Sequence, residues 1–377
     1  MTQQQTNKTT ADKSAGKNTR RNFLRAGAAV AGAAFAAPHI RNAHAAETTV
    51  WKVQTSWPGG LGLRLFKDWC NSIKEKTDGE LEFKPFGPKD IAGDFQLYDA
   101  VRNGVLEAAN PFTIYYQNEL PLGSFLSSYP MGLRNPHEWD VFYYGLGGLE
   151  LARRAYAERG MYFVGIIHHG PNIIHSKVPI NTFEDFRGRK IRAPGGMVSK
   201  LFTAAGASTT TLPGSEIFPA LEKGTIDAAD YVGPAINYDL GFHQVTNYVS
   251  MGPPGLMSIY QPVDLMDLTV GMKHWRALSP RMQLFVENEV HAYSDLHHAA
   301  IQKADQEAWP KLKAAGTRVT RLSEPDVNKF TELAVPIWFE WARKSPQAAE
   351  AFKIQLDYMM SGSLGYVTPR MIKGQSL

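Results

Sequence analysis

The sequence predicts an α/β protein of two lobes around a cleft, with a long helical C-terminus. Three observations predict it. The chain after residue 45 opens with a β-α-β pattern, a helix-Gly-strand unit occurs twice, 120 residues apart, and helical spacing dominates from Trp275 onward. A β-α-β opening favours a parallel sheet. The 377 residues are 44% hydrophobic and 20% charged, the balance of a globular chain. That length suffices for two domains of ordinary size.

The first 45 residues stand apart from this fold. A polar stretch precedes Thr19-Arg20-Arg21-Asn22-Phe23-Leu24-Arg25, a twin-arginine motif, and an apolar run of 12 residues follows from Ala26 to Ala37. Such a run falls short of the roughly 20 residues that span a bilayer as a helix. Ala43-His44-Ala45 has the small-x-small form of a cleavage site. Residues 1–45 therefore read as a Tat export signal that directs the chain to the periplasm. They carry seven Lys/Arg and one Asp, so removing their net +6 from a chain of +4 leaves −2. No Lys/Arg stripe points to nucleic acid as a partner. The single cysteine, Cys70, has no partner in the chain for a disulfide. Its helical spacing with Leu63, Phe66 and Ile73 predicts a buried apolar thiol.

The elements follow in order. A strand is expected at 49–55, with Trp51 and Val53 on one face and Lys52 and Gln54 on the other. After the turn Ser56–Gly60 comes a helix carrying Leu63, Phe66, Cys70 and Ile73, stopped at Asp78-Gly79, then a strand at 80–86. The first repeat, AVRNGVLEAANP, gives a short helix, a stop at Gly104, a strand at 105–109 and then Asn110-Pro111. The second, ALEKGTIDAADY, gives a helix at 216–222 with Ser215 as its cap, a stop at Gly224, a strand at 225–229 and then Asp230-Tyr231. Two lobes of similar construction account for the pair; so does a chance likeness of two short α/β corners. Between the copies lie a strand at 161–168, a short helix capped by Thr182-Phe183-Glu184-Asp185, a strand from Lys190 into the turn Pro194-Gly195-Gly196, and a helix at 198–205. Residues 232–262 are loop-rich. Met282, Phe285, Val286 and Val290 keep a 3.6-residue period. A further helix is expected at 299–315, a strand at 317–322, and helices over 324–360.

Common enzyme signatures are missing: there is no HExxH, no GxSxG, and no GxGxxG between a strand and a helix. His168-His169 and His297-His298 are adjacent pairs, and neighbours on a strand point to opposite faces. A zinc site from His168, His175 and a distant acid would make the chain a periplasmic metal-dependent hydrolase, the alternative reading. What remains is a binding site. Arg192 ends a strand beside Pro194-Gly195-Gly196, where a guanidinium can grip a carboxylate with two parallel bonds or form a surface salt bridge. Asn172, Asp230, Tyr231 and Gln261 can hold hydroxyls or a hard cation such as Na⁺ or Ca²⁺, or serve as turn and capping residues. Trp57, Phe112, Tyr115 and Tyr116 supply apolar walls for a small ligand, or core packing.

Taken together, several stretches resemble the substrate-binding proteins of tripartite ATP-independent periplasmic (TRAP) transporters. They are Thr55-Ser56-Trp57, Gly87-Pro88 to Asp99-Ala100-Val101, Tyr115-Tyr116, Phe186-Arg187-Gly188-Arg189-Lys190-Ile191-Arg192-Ala193-Pro194, Ala220 to Asp230, and Trp275-Arg276-Ala277-Leu278-Ser279-Pro280. The resemblance implies a periplasmic-binding-protein-like fold whose two lobes, joined by hinge strands, close over an organic anion. Lobe I would comprise 46–169 and 258–297, lobe II 170–257 and 298–377. It implies a receptor rather than an enzyme, with the membrane subunits of a TRAP transporter as partners. Arg192 falls where the family pairs an arginine with the ligand carboxylate. The nearest branch binds 2-oxo acids or lactate with a metal ion. Asp230-Tyr231 falls on its acid-aromatic pair, with Tyr for the usual Trp, and Asn172 falls on its amide. Gln261 falls where that branch has a glutamate and brings less charge to a cation. The metal set implied is Asp230, Tyr231, Gln261 and Asn172. The helical C-terminus resembles the segment through which that branch forms a homodimer.

Overall fold

The computed structural model describes residues 48–377, and the expected export signal at 1–45 lies outside the described residues. Among the described residues eleven strands form two mixed sheets. They are β1 Thr49–Thr55, β2 Leu81–Phe86, β3 Ala108–Asn110, β4 Met161–Gly170, β5 Ile173–Ser176, β6 Lys190–Ala193, β7 Ser208–Thr211, β8 Ala228–Tyr231, β9 Tyr248–Met251, β10 Asp264–Gly271 and β11 Arg318–Arg321. The first sheet has the order β2-β1-β3-β10-β4 and the second β11-β9-β5-β8-β6-β7. Within the first, β1 runs parallel to β2 and β3, while β10 is antiparallel to β3 and β4. In the second, β6 is parallel to β7 and β8, and β5 is antiparallel to β8 and β9. This is the expected α/β architecture.

The opening follows from its pattern. Helix Gly60–Lys76 turns Phe66, Trp69, Cys70 and Ile73 into the core, and Trp69 stacks on Tyr293 and meets Phe83 edge-on. Cys70 is a free, buried thiol, and burial raises its pKa. The repeated unit is real at the level of single bonds. Gly104 and Gly224 adopt φ of 71° and 72°. The amides of Val105 and Thr225 bond back to the carbonyls of Ala100 and Ala220, at 2.9 and 3.1 Å. Leu106 and Ile226 repeat this bond to the same carbonyls, at 3.1 and 3.4 Å. These returns satisfy the last carbonyls of each helix. They also hold the following residues out of the ladder, so β3 and β8 begin at 108 and 228, three residues later than expected.

Other elements depart from expectation. Helix Gly214–Lys223 has Pro213 at its cap position and no side-chain cap; Ser215 lies within the helix. Residues 280–314 form one continuous helix of 35 residues, Pro280–Ala314, rather than two. Ser279 caps it, and its buried residues run from Met282 to Leu312 along the whole length. Strand β10 has no counterpart among the expected elements; its sequence DLMDLTVG opens on one aspartate and carries a second inside its apolar run. All eight of its residues are buried. Asp267 is accommodated by the hydroxyls of Thr113 (2.6 Å), Tyr98 (3.1 Å), Tyr156 (3.3 Å) and Thr269. Burial nevertheless raises its carboxyl to about 6, with those hydroxyls opposing the rise.

The two C-terminal helices account for their aromatic content. Glu324–Ala342 packs on Gly196–Ala204, whereas Pro346–Met360 reaches back to Gly123–Ser127 and Gly148–Ala157. The indoles of Trp338 and Trp341 donate to the carbonyls of Pro130 (2.7 Å) and Pro121 (3.0 Å). Gln355 donates to the carbonyl of Phe125 at 2.7 Å. The chain passes directly from β4 in the first sheet to β5 in the second through Pro171-Asn172 alone.

Candidate functional site

Arg192 is the third residue of β6, set between Thr210 of β7 and Ala229 of β8. It is 1% exposed. Its Nε donates to the Leu212 carbonyl at 2.8 Å, Nη1 to the Asp230 carbonyl at 2.6 Å, and Nη2 to the Tyr115 hydroxyl at 3.1 Å. A guanidinium has five N–H donors, so two remain, one on each terminal nitrogen. The Tyr231 ring lies 5.2 Å from the guanidinium carbon, a cation–π distance. The salt-bridge alternative therefore does not hold. This arginine is buried, and its three bonds go to two carbonyls and a phenol.

Next to it lies a small cavity of about 10 Å³, room for about one water, lined by Phe112, Tyr115, Asn172, Arg192, Pro194, Tyr231, Val232 and Asp264. It lies where β3, β6 and β8 end and where β10 begins, the position at which open α/β sheets bind ligands. Its size is below the roughly 300–1,000 Å³ of drug-sized pockets. Asp230 is the third residue of β8, one before its end, and is fully buried, and neither of its carboxylate oxygens has a hydrogen-bond partner. Burial raises its carboxyl to about 7; Arg192 lowers it, Asp264 raises it further, and the Asn172 side chain beside it lowers it. Asp264 opens β10. Its Oδ1 accepts from Ser127 at 2.7 Å and from the Leu265 amide at 2.9 Å. Its Oδ2 accepts from Gln261 Nε2 at 3.0 Å and from Asn172 Nδ2 at 3.4 Å. Gln261 Oε1 in turn accepts from Asn172 at 3.0 Å, which leaves Asn172 Oδ1 without a partner. Three buried oxygens, two on Asp230 and one on Asn172, are thus unsatisfied in one place.

The aromatic residues divide. Phe112 and Tyr115 line the cavity, and burial raises the Tyr115 phenol to about 12 against the opposing pull of Arg192. Trp57 stands behind Phe112, edge to face at 5.0 Å. Tyr116 is elsewhere. Its ring stacks on Tyr98 at 3.7 Å, and its hydroxyl donates to the Asp94 carbonyl at 2.6 Å, so it packs the core. Asp264 and His169 are absent from the sequence-based set. His169 is 1% exposed and stands 3.5 Å from Asp264 Oδ2, between the rings of Trp57 and Phe112. The available signal for Asp264 was an acid inside an apolar strand, which demands a compensating partner.

The metal-hydrolase alternative finds no support. His168 lies in the first sheet with Nε2 2.8 Å from Asp140. His175 lies in the second sheet, 3.3 Å from Thr246, and burial lowers its pKa to about 3. Among the described residues no group of three His, Cys, Asp or Glu side chains is placed to hold a metal.

Comparison with known proteins assigns the family. Residues 60–345 match the model of bacterial extracellular solute-binding protein, family 7. A monocarboxylate 2-oxoacid-binding periplasmic protein of Nostoc sp. is 27% identical over 306 residues, which are 80% of this chain and 82% of the relative. A TRAP transporter solute binding protein from Bordetella bronchiseptica, a mixed-occupancy dimer with copurified calcium and picolinate, superposes with a TM-score of 0.73. It is 26% identical, and the match covers 82% of this chain and 93% of that one. A TRAP periplasmic solute binding protein from Colwellia psychrerythraea with bound calcium and pyruvate gives a TM-score of 0.76 at 23% identity, over 82% and 94% of the two chains. The chain belongs to the family 7 bacterial extracellular solute-binding proteins, the receptors of TRAP transporters, and is not an enzyme.

Proposed function

We propose that this receptor binds a small 2-oxo or 2-hydroxy monocarboxylate together with a cation and delivers it to a TRAP permease from the periplasm. The observation that carries this reading is the pair of free donors on buried Arg192 beside the unsatisfied oxygens of Asp230 and Asn172. The two donors suit a ligand carboxylate. The oxygens suit a hard cation, which would be held by Asp230, Asn172 Oδ1 and Asp264. Gln261 then acts by positioning: its amide ties Asn172 to Asp264. Asp264 supplies the second carboxylate that the neutral Gln261 does not, and Tyr231 contributes its ring. Charge counting favours a divalent ion. With Arg192, Asp230, Asp264 and a monocarboxylate the buried charge is −2, which Ca²⁺ cancels and Na⁺ halves. The Nostoc relative's 2-oxoacid binding and the Bordetella protein's calcium with picolinate support the same class.

Phe112 and Tyr115 come from the first-sheet side, and Arg192 and Asp230 from the second. We take these as lobes I and II, with 46–169 and 258–297 in the first and 170–257 and 298–377 in the second. Helix Pro346–Met360 folds back across them. A ligand that touches both shifts the population toward the closed form. Titration calorimetry with pyruvate, with and without Ca²⁺, tests the reading. Binding that persists unchanged after chelation removes the cation from it, and failure to bind any 2-oxo or 2-hydroxy acid overturns it.

A further inference from the structure

Strand β4 carries one residue more than its partner β10 just before the site. His168 pairs with Leu265 and Gly170 with Asp264, so His169 has no residue opposite it in the ladder. Such a bulge re-aims a side chain, and bulges gather beside functional sites. This one is held from behind by helix Pro280–Ala314. The Ser294 hydroxyl accepts from the His168 amide at 3.0 Å, and His297 Nδ1 meets the His168 carbonyl at 2.8 Å. The two histidine side chains then part. His168 reaches Asp140. His169 lies behind the cavity wall, with its ring centroid 5.3 Å from those of Trp57 and Phe112 and edge-on to both.

Packing alone does not call for an imidazole here. Both ring nitrogens of His169 are buried and neither has a hydrogen-bond partner, an unfavourable arrangement that a phenyl ring in the same slot would avoid. What the imidazole adds is a donor facing Asp264, whose Oδ2 stands 3.5 Å from Nε2. A small turn of either group brings that separation to bonding distance. The other donors to Oδ2 are Gln261 Nε2 at 3.0 Å and Asn172 Nδ2 at 3.4 Å. Carboxylates that ligate a metal are themselves hydrogen-bonded from behind, and those outer partners fix their orientation. His169 stands in the place of such a partner.

We propose that His169 is a positioning residue of the ligand site: the β4 bulge aims its imidazole N–H at Asp264 Oδ2 and fixes the orientation in which that carboxylate takes the cation. This rests on the carboxylate-and-cation reading above. Titration calorimetry on the full mature chain tests it through two quantities, the Ca²⁺ midpoint at saturating pyruvate and the pyruvate affinity at saturating Ca²⁺. His169→Phe keeps the aromatic contacts and loses the donor. It should raise the Ca²⁺ midpoint by roughly ten-fold, the scale of a lost outer partner. Pyruvate affinity at saturating Ca²⁺ and the melting temperature without ligand should stay near wild type. His169→Gln restores an N–H at similar reach and should recover most of the loss. His169→Met, slimmer and also without a donor, takes the place of the phenyl variant if that one fails to fold. The proposal is overturned by an unmoved Ca²⁺ midpoint in the donor-free variant, or by an equal loss in His169→Gln. It is also overturned by an equal fall in pyruvate affinity at saturating Ca²⁺, which marks a packing role. Wild-type pyruvate binding that needs no Ca²⁺ overturns the cation reading itself, and is seen before any variant is made.

Discussion

Arg192 commits three donors to the protein and keeps two for a ligand. Arg192→Ala should therefore cost about 3–5 kcal/mol of binding, since it leaves a ligand carboxylate buried and unpaired. Arg192→Lys keeps the charge and loses the fork, and should fall between wild type and alanine when measured by calorimetry. Asp264→Asn keeps the shape of its contacts but removes a charge. It should weaken Ca²⁺-dependent binding and also lower the unliganded melting temperature, because its amide NH2 must face donors that the carboxylate accepted from. Asp267 offers a pH test away from the cavity. Its carboxyl rises from 3.8 to about 6 on folding. The folded state thus holds the proton more tightly, a contribution to stability that is complete below 3.8 and lost as pH rises through about 6. Relative to Asp267→Asn, wild type should lose about 3 kcal/mol of unfolding free energy between about pH 4 and about pH 7. Urea unfolding at both values would show it, and a constant difference would refute it. Arg192 was legible in sequence because a base beside Pro194-Gly195-Gly196 marks a strand end. Asp264 was not, because what distinguishes it is burial, which depends on where β10 inserts.

At the scale of elements, the two glycine stops carry the repeat. Gly104 and Gly224 sit in the left-handed region, where a side chain costs about 1–2 kcal/mol. Gly104→Ala and Gly224→Ala should each lower stability by about that amount. A much smaller loss in thermal unfolding would mean that the turns adjust. Trp338 tests the C-terminal helices. Trp338→Phe leaves the Pro130 carbonyl without its donor and should cost about 1–3 kcal/mol. The turn and cap residues of the repeat and of Thr182 were readable because their chemistry is local: Thr182 and Asp185 do form the reciprocal cap. Ser215 shows the limit. It has the composition of a cap, yet the helix begins at Gly214, two residues earlier than expected, and its hydroxyl turns toward Asp94 across the chain.

Across the whole molecule, the two sheets meet through contacts that span long sequence distances. Lys89 pairs with Glu216 at 2.8 Å, and the Leu61 amide donates to Asp239 at 3.1 Å. Gln117 lies against Gly195 and Gly196, leaving no room for a Cβ on Gly196. Closure of this kind should respond to ligand: small-angle scattering should give a smaller radius of gyration with saturating pyruvate and Ca²⁺ than without. Export through the Tat route is tested at the same scale by Arg20→Lys with Arg21→Lys, which should retain the precursor in the cytoplasm.

By itself the sequence determined the local matters: the β-α-β opening, the twin helix-Gly-strand units, the helical C-terminus and the candidate Arg192. Each rests on periodicity, capping or backbone conformation within a few residues. Only the tertiary structure decided which polar groups meet. Asn172 lies in the crossing between the sheets, Asp230 stands one residue before the end of β8, and Asp264 opens β10. Tyr116, adjacent to a cavity residue, points into the core instead. Their convergence depends on strand order and on the burial that order imposes, and neither can be read from spacing along the chain.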